Sequence, residues 1–137
     1  MQRRTFLALG AAVAVPAFLT ACGGTMPLSP AGQVKGLTLD EVRDCLYRAG
    51  RKRAWVVRDV DEHHIEATFM KGNHVAVLDI EFDEDVYRFK VSPKTSASLL
   101  RPDGTVHRKV NQWIGNYYTD AGLLILDAKM RKYNEAQ

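Results

Sequence analysis

From residue 37 onward the chain alternates between two hydrophobic periods, and the switches between them mark out its elements. Val42, Cys45, Leu46 and Ala49 recur at spacings of three and four, the stripe of an amphipathic helix. Thr38-Leu39-Asp40-Glu41 opens that stripe as a capping box. Leu37 and Val42 stand where a hydrophobic staple needs them, and Gly50 is a natural stop, so a helix is predicted over about residues 39–50. The period then becomes two. Residues 54–60 carry Trp55 and Val57 on one face, residues 64–70 place Ile65, Ala67 and Phe69 against Glu66 and Thr68, and residues 74–82 align Ala76, Leu78, Ile80 and Phe82. Residues 86–91 set Tyr87, Phe89 and Val91 against Arg88 and Lys90. Polar turns at Asp61-Glu62-His63, Lys71-Gly72-Asn73 and Asp83-Glu84-Asp85 join these runs, which is the pattern of an antiparallel meander with one apolar face.

That face needs a cover, and the C-terminal third supplies it. After an irregular stretch containing Pro93, Pro102 and Asp103-Gly104, the helical period returns over about residues 105–133, with Val110, Ile114, Tyr117, Ala121, Leu124 and Ala128 in register and Trp113 and Tyr118 widening the stripe. Leu123 to Leu126 is apolar on every side, and Gly122 is the place for a kink or a break between two helices. The expected architecture is α+β: a two-layer sandwich in which a four-stranded antiparallel meander is covered on one face by an N-terminal and a long C-terminal helix. About 100 residues suffice for one such domain, 37–137, and not for two.

The first 36 residues follow a different logic. Arg3 and Arg4 precede an apolar run from Phe6 to Leu19, about 14 residues against the roughly 20 that a spanning helix requires, and Pro16 interrupts it. The run ends at Leu19-Thr20-Ala21-Cys22, which reads as the lipobox of a bacterial lipoprotein precursor: residues 1–21 are the signal peptide and Cys22 is the lipidated (diacylglycerol- and palmitate-bearing) residue that becomes the new N-terminus. Arg3-Arg4-Thr5-Phe6-Leu7 fits both a twin-arginine signal and a Sec signal with paired arginines. Gly23 after the anchor fits sorting to the outer membrane, facing the periplasm. Residues 22–36, rich in Gly, Ser, Pro and Thr, read as the lipidated cysteine and a flexible tether.

Composition changes meaning once that signal is set aside. The chain has 19 Lys and Arg against 16 Asp and Glu; losing Arg3 and Arg4 leaves 17 against 16, a net of +1, which removes any case for nucleic acid as a partner. With Cys22 taken by lipid, Cys45 has no partner for an intramolecular disulfide, and its place on the apolar helix stripe predicts a buried, unreactive thiol.

Candidate chemistry is sparse. Asp59, Asp61, Glu62, His63, His64 and His74 offer metal-ligand chemistry, but adjacent His63 and His64 point to opposite sides of an extended chain, and surface turns account for these residues better; no metal site is assigned. Ser92, Ser96 and Ser98 lack a nucleophile elbow, no glycine-rich phosphate loop or other cofactor motif is present, and the acidic run near Asp79 to Asp85 lacks the EF-hand pattern. No catalytic residue and no cofactor is predicted.

The segment His107-Arg108-Lys109-Val110-Asn111-Gln112-Trp113-Ile114-Gly115-Asn116, with Ser96-Ala97-Ser98-Leu99, His74-Val75-Ala76-Val77 and Ala54-Trp55-Val56-Val57, resembles a family of small proteobacterial lipoproteins without an assigned function. The resemblance covers most of residues 38–121; Val110 stands where an aromatic is expected and Tyr117 where a leucine is. It implies an α+β fold and a lipoprotein address and supplies no catalytic residue. His107, Asn111 and Trp113 are the candidate binding or structural motif, set beside the 92–100 loop. Two functional classes follow: an envelope lipoprotein acting as a non-enzymatic binding or scaffold module for a protein partner, or a periplasmic small-molecule or metal-binding domain. An apolar groove at Leu123 to Leu126 and Tyr133 favours the first, and an enclosed polar pocket at His107 and Trp113 the second.

Overall fold

The computed structural model of the protein describes residues 31–137, so the expected signal peptide, the expected lipidation site Cys22 and the expected tether up to residue 30 lie outside the described residues. The domain is α+β. Its elements are β1 (Ala31–Gln33), α1 (Leu39–Lys52), β2 (Val56–Asp61), β3 (His64–Lys71), β4 (His74–Phe82), β5 (Val86–Val91) and α2 (Arg108–Glu135). All strand pairings are antiparallel, in the order β1-β5-β4-β3-β2.

The meander β2 to β5 follows the sequence pattern closely. Its registers place Ile65 beside Ile80, Ala67 beside Leu78, and Ile80 beside Phe89, so the alternating apolar residues line one face. The sheet has five strands rather than the four expected. The extra one, β1, comes from the stretch that composition assigned to the tether, and two contacts explain it. Gly32 pairs with Tyr87, whose ring lies only 2.6 Å from where a Cβ at residue 32 would stand, so glycine lets the aromatic side chain pack across the strand. Val34 follows fully buried, its amide donating to the Asp85 carbonyl.

Helix α1 begins as its capping box requires. The Thr38 hydroxyl accepts from the Glu41 amide at 3.2 Å, and Glu41 Oε1 accepts from the Thr38 amide at 2.8 Å. Beyond Gly50 the helix runs on to Lys52, and the chain then turns through Ala54, in the left-handed region at φ 67°, to bury Trp55.

Helix α2 is continuous from Arg108 to Glu135, with no break at Gly122. A glycine inside a helix costs only about 1 kcal/mol, less than the packing of the turns on either side contributes. Its buried stripe is Val110, Asn111, Ile114, Tyr117, Asp120, Ala121 and Ile125, so the fully buried row ends on Ile125, with Leu124 and Ala128 at its margin.

Both helices lie on the apolar face of the sheet. Arg43 of α1 stacks over Phe82, and α2 brings Tyr117 edge-on to Phe89 at 4.9 Å and Trp113 to Phe69 at 4.9 Å. Polar links also join α1 and its C-cap Arg53 to α2. The Tyr117 hydroxyl donates to the Leu46 carbonyl at 2.8 Å, and Arg53 pairs with buried Asp120 at 2.6 Å. No helix among the described residues is long and apolar enough to cross a membrane.

Candidate functional site

The irregular segment between β5 and α2 is organised by short hydroxyl side chains. Where β5 ends, Ser92 donates its amide to the Val77 carbonyl, and Thr95 Oγ1 both accepts from the Val77 amide at 3.0 Å and donates to the Val77 carbonyl at 3.1 Å. Ser96 repeats the arrangement two residues along, its hydroxyl accepting from the Val75 amide at 2.9 Å. The segment thus continues along the edge of β4, satisfying backbone groups that β5 leaves behind. An antiparallel bridge between Leu100 and Val106, and the His107 amide donating to the Leu99 carbonyl, then return the chain to the start of α2.

This path assembles the first candidate site. His74 opens β4 after the Gly72 turn, and its Nδ1 lies 3.0 Å from Ser98 Oγ. His107 is the N-cap of α2, its Nδ1 accepting from the Lys109 amide at 3.1 Å; an accepting Nδ1 leaves the ring proton on Nε2. Trp113, one and a half turns on, is half-buried and held by Phe69. Together with Lys71, Leu99 and Lys109 these residues line a cavity of about 290 Å³. Of the motif expected from sequence, His107 and Trp113 meet at this cavity. Asn111 is buried in α2 and is not among the lining residues. In the sequence His74 and Ser98 stand apart, as a candidate metal ligand and a candidate nucleophile, and their meeting was not foreseen, because it spans 24 positions and depends on the rail along β4.

A second candidate surface lies at the other end of α2. Leu123, Leu126, Met130 and Tyr133 follow one another at intervals of three, four and three, and each exposes more than half of its side chain. Beside them is a groove of about 660 Å³ whose lining includes Lys35, Lys129, Met130, Lys132 and Tyr133 and contains no carboxylate. Lys132 also reaches Glu41 at 2.8 Å, tying this end of α2 to the start of α1. That contact, the Thr38 amide adding to it, holds the Glu41 carboxyl below its ordinary range.

The carboxylates and histidines that suggested metal chemistry are dispersed among other partners. Asp59 accepts from the Tyr47 hydroxyl at 2.8 Å, His63 Nδ1 lies 3.0 Å from the Phe82 carbonyl, and His64 Nε2 lies 3.0 Å from Asp79. Among the described residues no group of three or more His, Cys, Asp or Glu side chains is placed to hold a metal ion. On the outer face of the sheet, buried Glu66 is clamped by Lys94 at 2.8 Å and Arg58 at 2.9 Å, which together hold its carboxyl below the usual range against the opposing effect of burial. Cys45 is buried and forms no disulfide among the described residues, and burial pushes its thiol up.

No protein-family model matches the chain, and no curated protein matches it.

Proposed function

We propose that this protein is a bacterial envelope lipoprotein, anchored through Cys22 at the outer membrane and facing the periplasm, whose domain is a non-enzymatic docking module for a protein partner. The observation that carries the reading is the exposed row Leu123, Leu126, Met130 and Tyr133 on α2. Its three-four-three spacing is that of a helix seam, which suits an amphipathic helix lying alongside. Lys35 and Lys129 beside the groove give that helix acidic flanks.

The energetics connect the docking surface to the anchor. Burying the exposed halves of four such side chains contributes roughly 3–6 kcal/mol. Lost translational and rotational freedom on association costs about 4 kcal/mol or more. The stripe by itself therefore binds weakly, and it works on a partner already concentrated at the same membrane, where the lipid on Cys22 raises the local concentration of both.

The test compares the acylated protein with Leu126→Asp/Met130→Asp and with Cys22→Ser. One envelope protein with an acidic amphipathic segment is expected to copurify with the wild type in defined stoichiometry, to be lost with the stripe variant, and to be recovered less by the unanchored form. Equal recovery by the stripe variant overturns the docking surface. Self-association of the purified protein or binding to protein-free anionic vesicles through the same residues replaces the partner with a second copy or with lipid.

A further inference from the structure

We propose that the cavity between His74, Ser98, His107 and Trp113 binds a small organic anion, an acidic group carried on a flat apolar body. The site is separate from the docking stripe, at the opposite end of α2. Every ionisable side chain that lines it is basic or a histidine: Lys71, Lys109, His74 and His107. No carboxylate competes with an incoming anion, whereas several basic groups elsewhere on the surface are paired with one, as in Arg48 with Asp44, Lys90 with Glu81 and Arg131 with Asp127.

Polar groups are also held in place there. His74 fixes the Ser98 hydroxyl at 3.0 Å, and His107 is fixed by the Lys109 amide, leaving Nε2–H as a donor. The remaining wall is apolar. Leu99 is buried beneath, and Trp113 is held against Phe69 with ring centroids 4.9 Å apart, presenting a rigid indole to a planar ligand. At about 290 Å³ the cavity is at the small end of ligand pockets, which restricts the occupant to a single ring or its equivalent.

Two other chemistries fit less well. Ser98 and His74 resemble a nucleophile and base, but no carboxylate lines the cavity to orient the imidazole, and His74 meets the serine through Nδ1. Two histidines without a carboxylate or thiolate also make a poor cage for a metal ion. A fixed hydroxyl, two ammonium groups and an indole wall are instead the parts from which carboxylate or phosphate recognition is built.

The probes are benzoate and phenyl phosphate, with benzamide as the neutral isostere and inorganic phosphate as the anion lacking an apolar body. Each is titrated into the mature, acylated, isotope-labelled protein in detergent while amide and indole N–H resonances are followed. Benzoate or phenyl phosphate is expected to shift the Trp113 indole and the Ser98 and Lys109 amides saturably, with benzamide and inorganic phosphate at least tenfold weaker. Lys71→Gln/Lys109→Gln, two exposed substitutions, is expected to weaken the aromatic anions at least tenfold while leaving the remaining spectrum in place. Leu126→Asp/Met130→Asp is expected to leave the titration unchanged, so the cavity and the docking stripe fail independently. Benzamide binding as tightly as benzoate, inorganic phosphate matching phenyl phosphate, an unaltered affinity in the lysine variant, or shifts scattered away from the cavity overturns the proposal.

Discussion

Replacing Gly50 and Gly122 by alanine, one at a time, should move stability in opposite directions although both sit in helices. Intrinsic propensity favours alanine over glycine by about 1 kcal/mol in a helix interior, and somewhat less near an end. At Gly122 nothing opposes that gain: the nearest side-chain atom to an added Cβ is the Tyr87 hydroxyl at 3.5 Å, an ordinary contact. At Gly50 a Cβ would lie 2.7 Å from the Tyr117 hydroxyl, 2.8 Å from Tyr117 Cζ and 2.8 Å from Val57 Cγ2. Tyr117 cannot swing aside. It is fully buried, edge-on to Phe89, and its hydroxyl is engaged by the Leu46 carbonyl in the same helix as Gly50. Overpacking of this kind costs about 1–3 kcal/mol, so Gly50→Ala should be destabilised by roughly 1–2 kcal/mol after the propensity gain. Gly122→Ala should be stabilised by about 0.5–1 kcal/mol. For a domain of this size the shifts in Tm are roughly 5–10 °C downward and a few degrees upward. Urea unfolding followed by circular dichroism measures both. A Gly50→Ala protein as stable as the wild type would refute the close α1–α2 approach at Tyr117.

Asp120→Asn removes the charge that Arg53 holds; the hydrogen bond from Arg53 keeps the Asp120 carboxyl below its ordinary range. A lowered folded-state value stabilises the protein above the unfolded carboxylate value near pH 4 and loses that contribution as pH falls through the folded value, so the gap in Tm between wild type and variant should be widest at neutral pH and close in acid. Cys45, buried with its thiol pushed up, should resist iodoacetamide in the native protein and react in urea; rapid native labelling would contradict the α1 packing. Mass spectrometry of the mature N-terminal peptide should find Cys22 acylated, and Cys22→Ser should leave the membrane fraction; an unlipidated mature form would remove the anchor from the proposed function.

Most of the fold is legible because the sheet has one wet and one dry face. Alternation over Ile65 to Phe69 and Ala76 to Phe82 marks the side that packs under the helices, even though Val75 and Val77 add apolar residues to the outer face, and the antiparallel turns fix the register. The capping box at Thr38 and Glu41 places the start of α1 because both halves of the motif are local. β1 is not legible: three residues in a glycine- and proline-containing stretch have no pattern of their own, and their pairing is decided by the edge of β5 and the Tyr87 ring crossing Gly32. Asp120 breaks the apolar stripe of α2 and is accommodated by Arg53, 67 positions earlier, which no local spacing announces. The same applies to the cavity. His107 and Trp113 are close along one helix, whereas His74 and Ser98 join them only through the rail that the Ser92 amide and the Thr95 and Ser96 hydroxyls form along β4. Asn111, one turn from His107 and grouped with it for that reason, is on the buried side of α2.

The proposed docking surface on α2 is tested most directly by placing a photoreactive side chain at Leu126 or Met130 in the full chain expressed in living cells, with Arg88 on the outer face of the sheet as the control position. One cross-linked protein is expected at Leu126 and Met130, joined through an acidic amphipathic segment, and none at Arg88. Equal cross-linking from Arg88, or cross-links at Leu126 and Met130 to lipid or to a second copy of this chain alone, would contradict it.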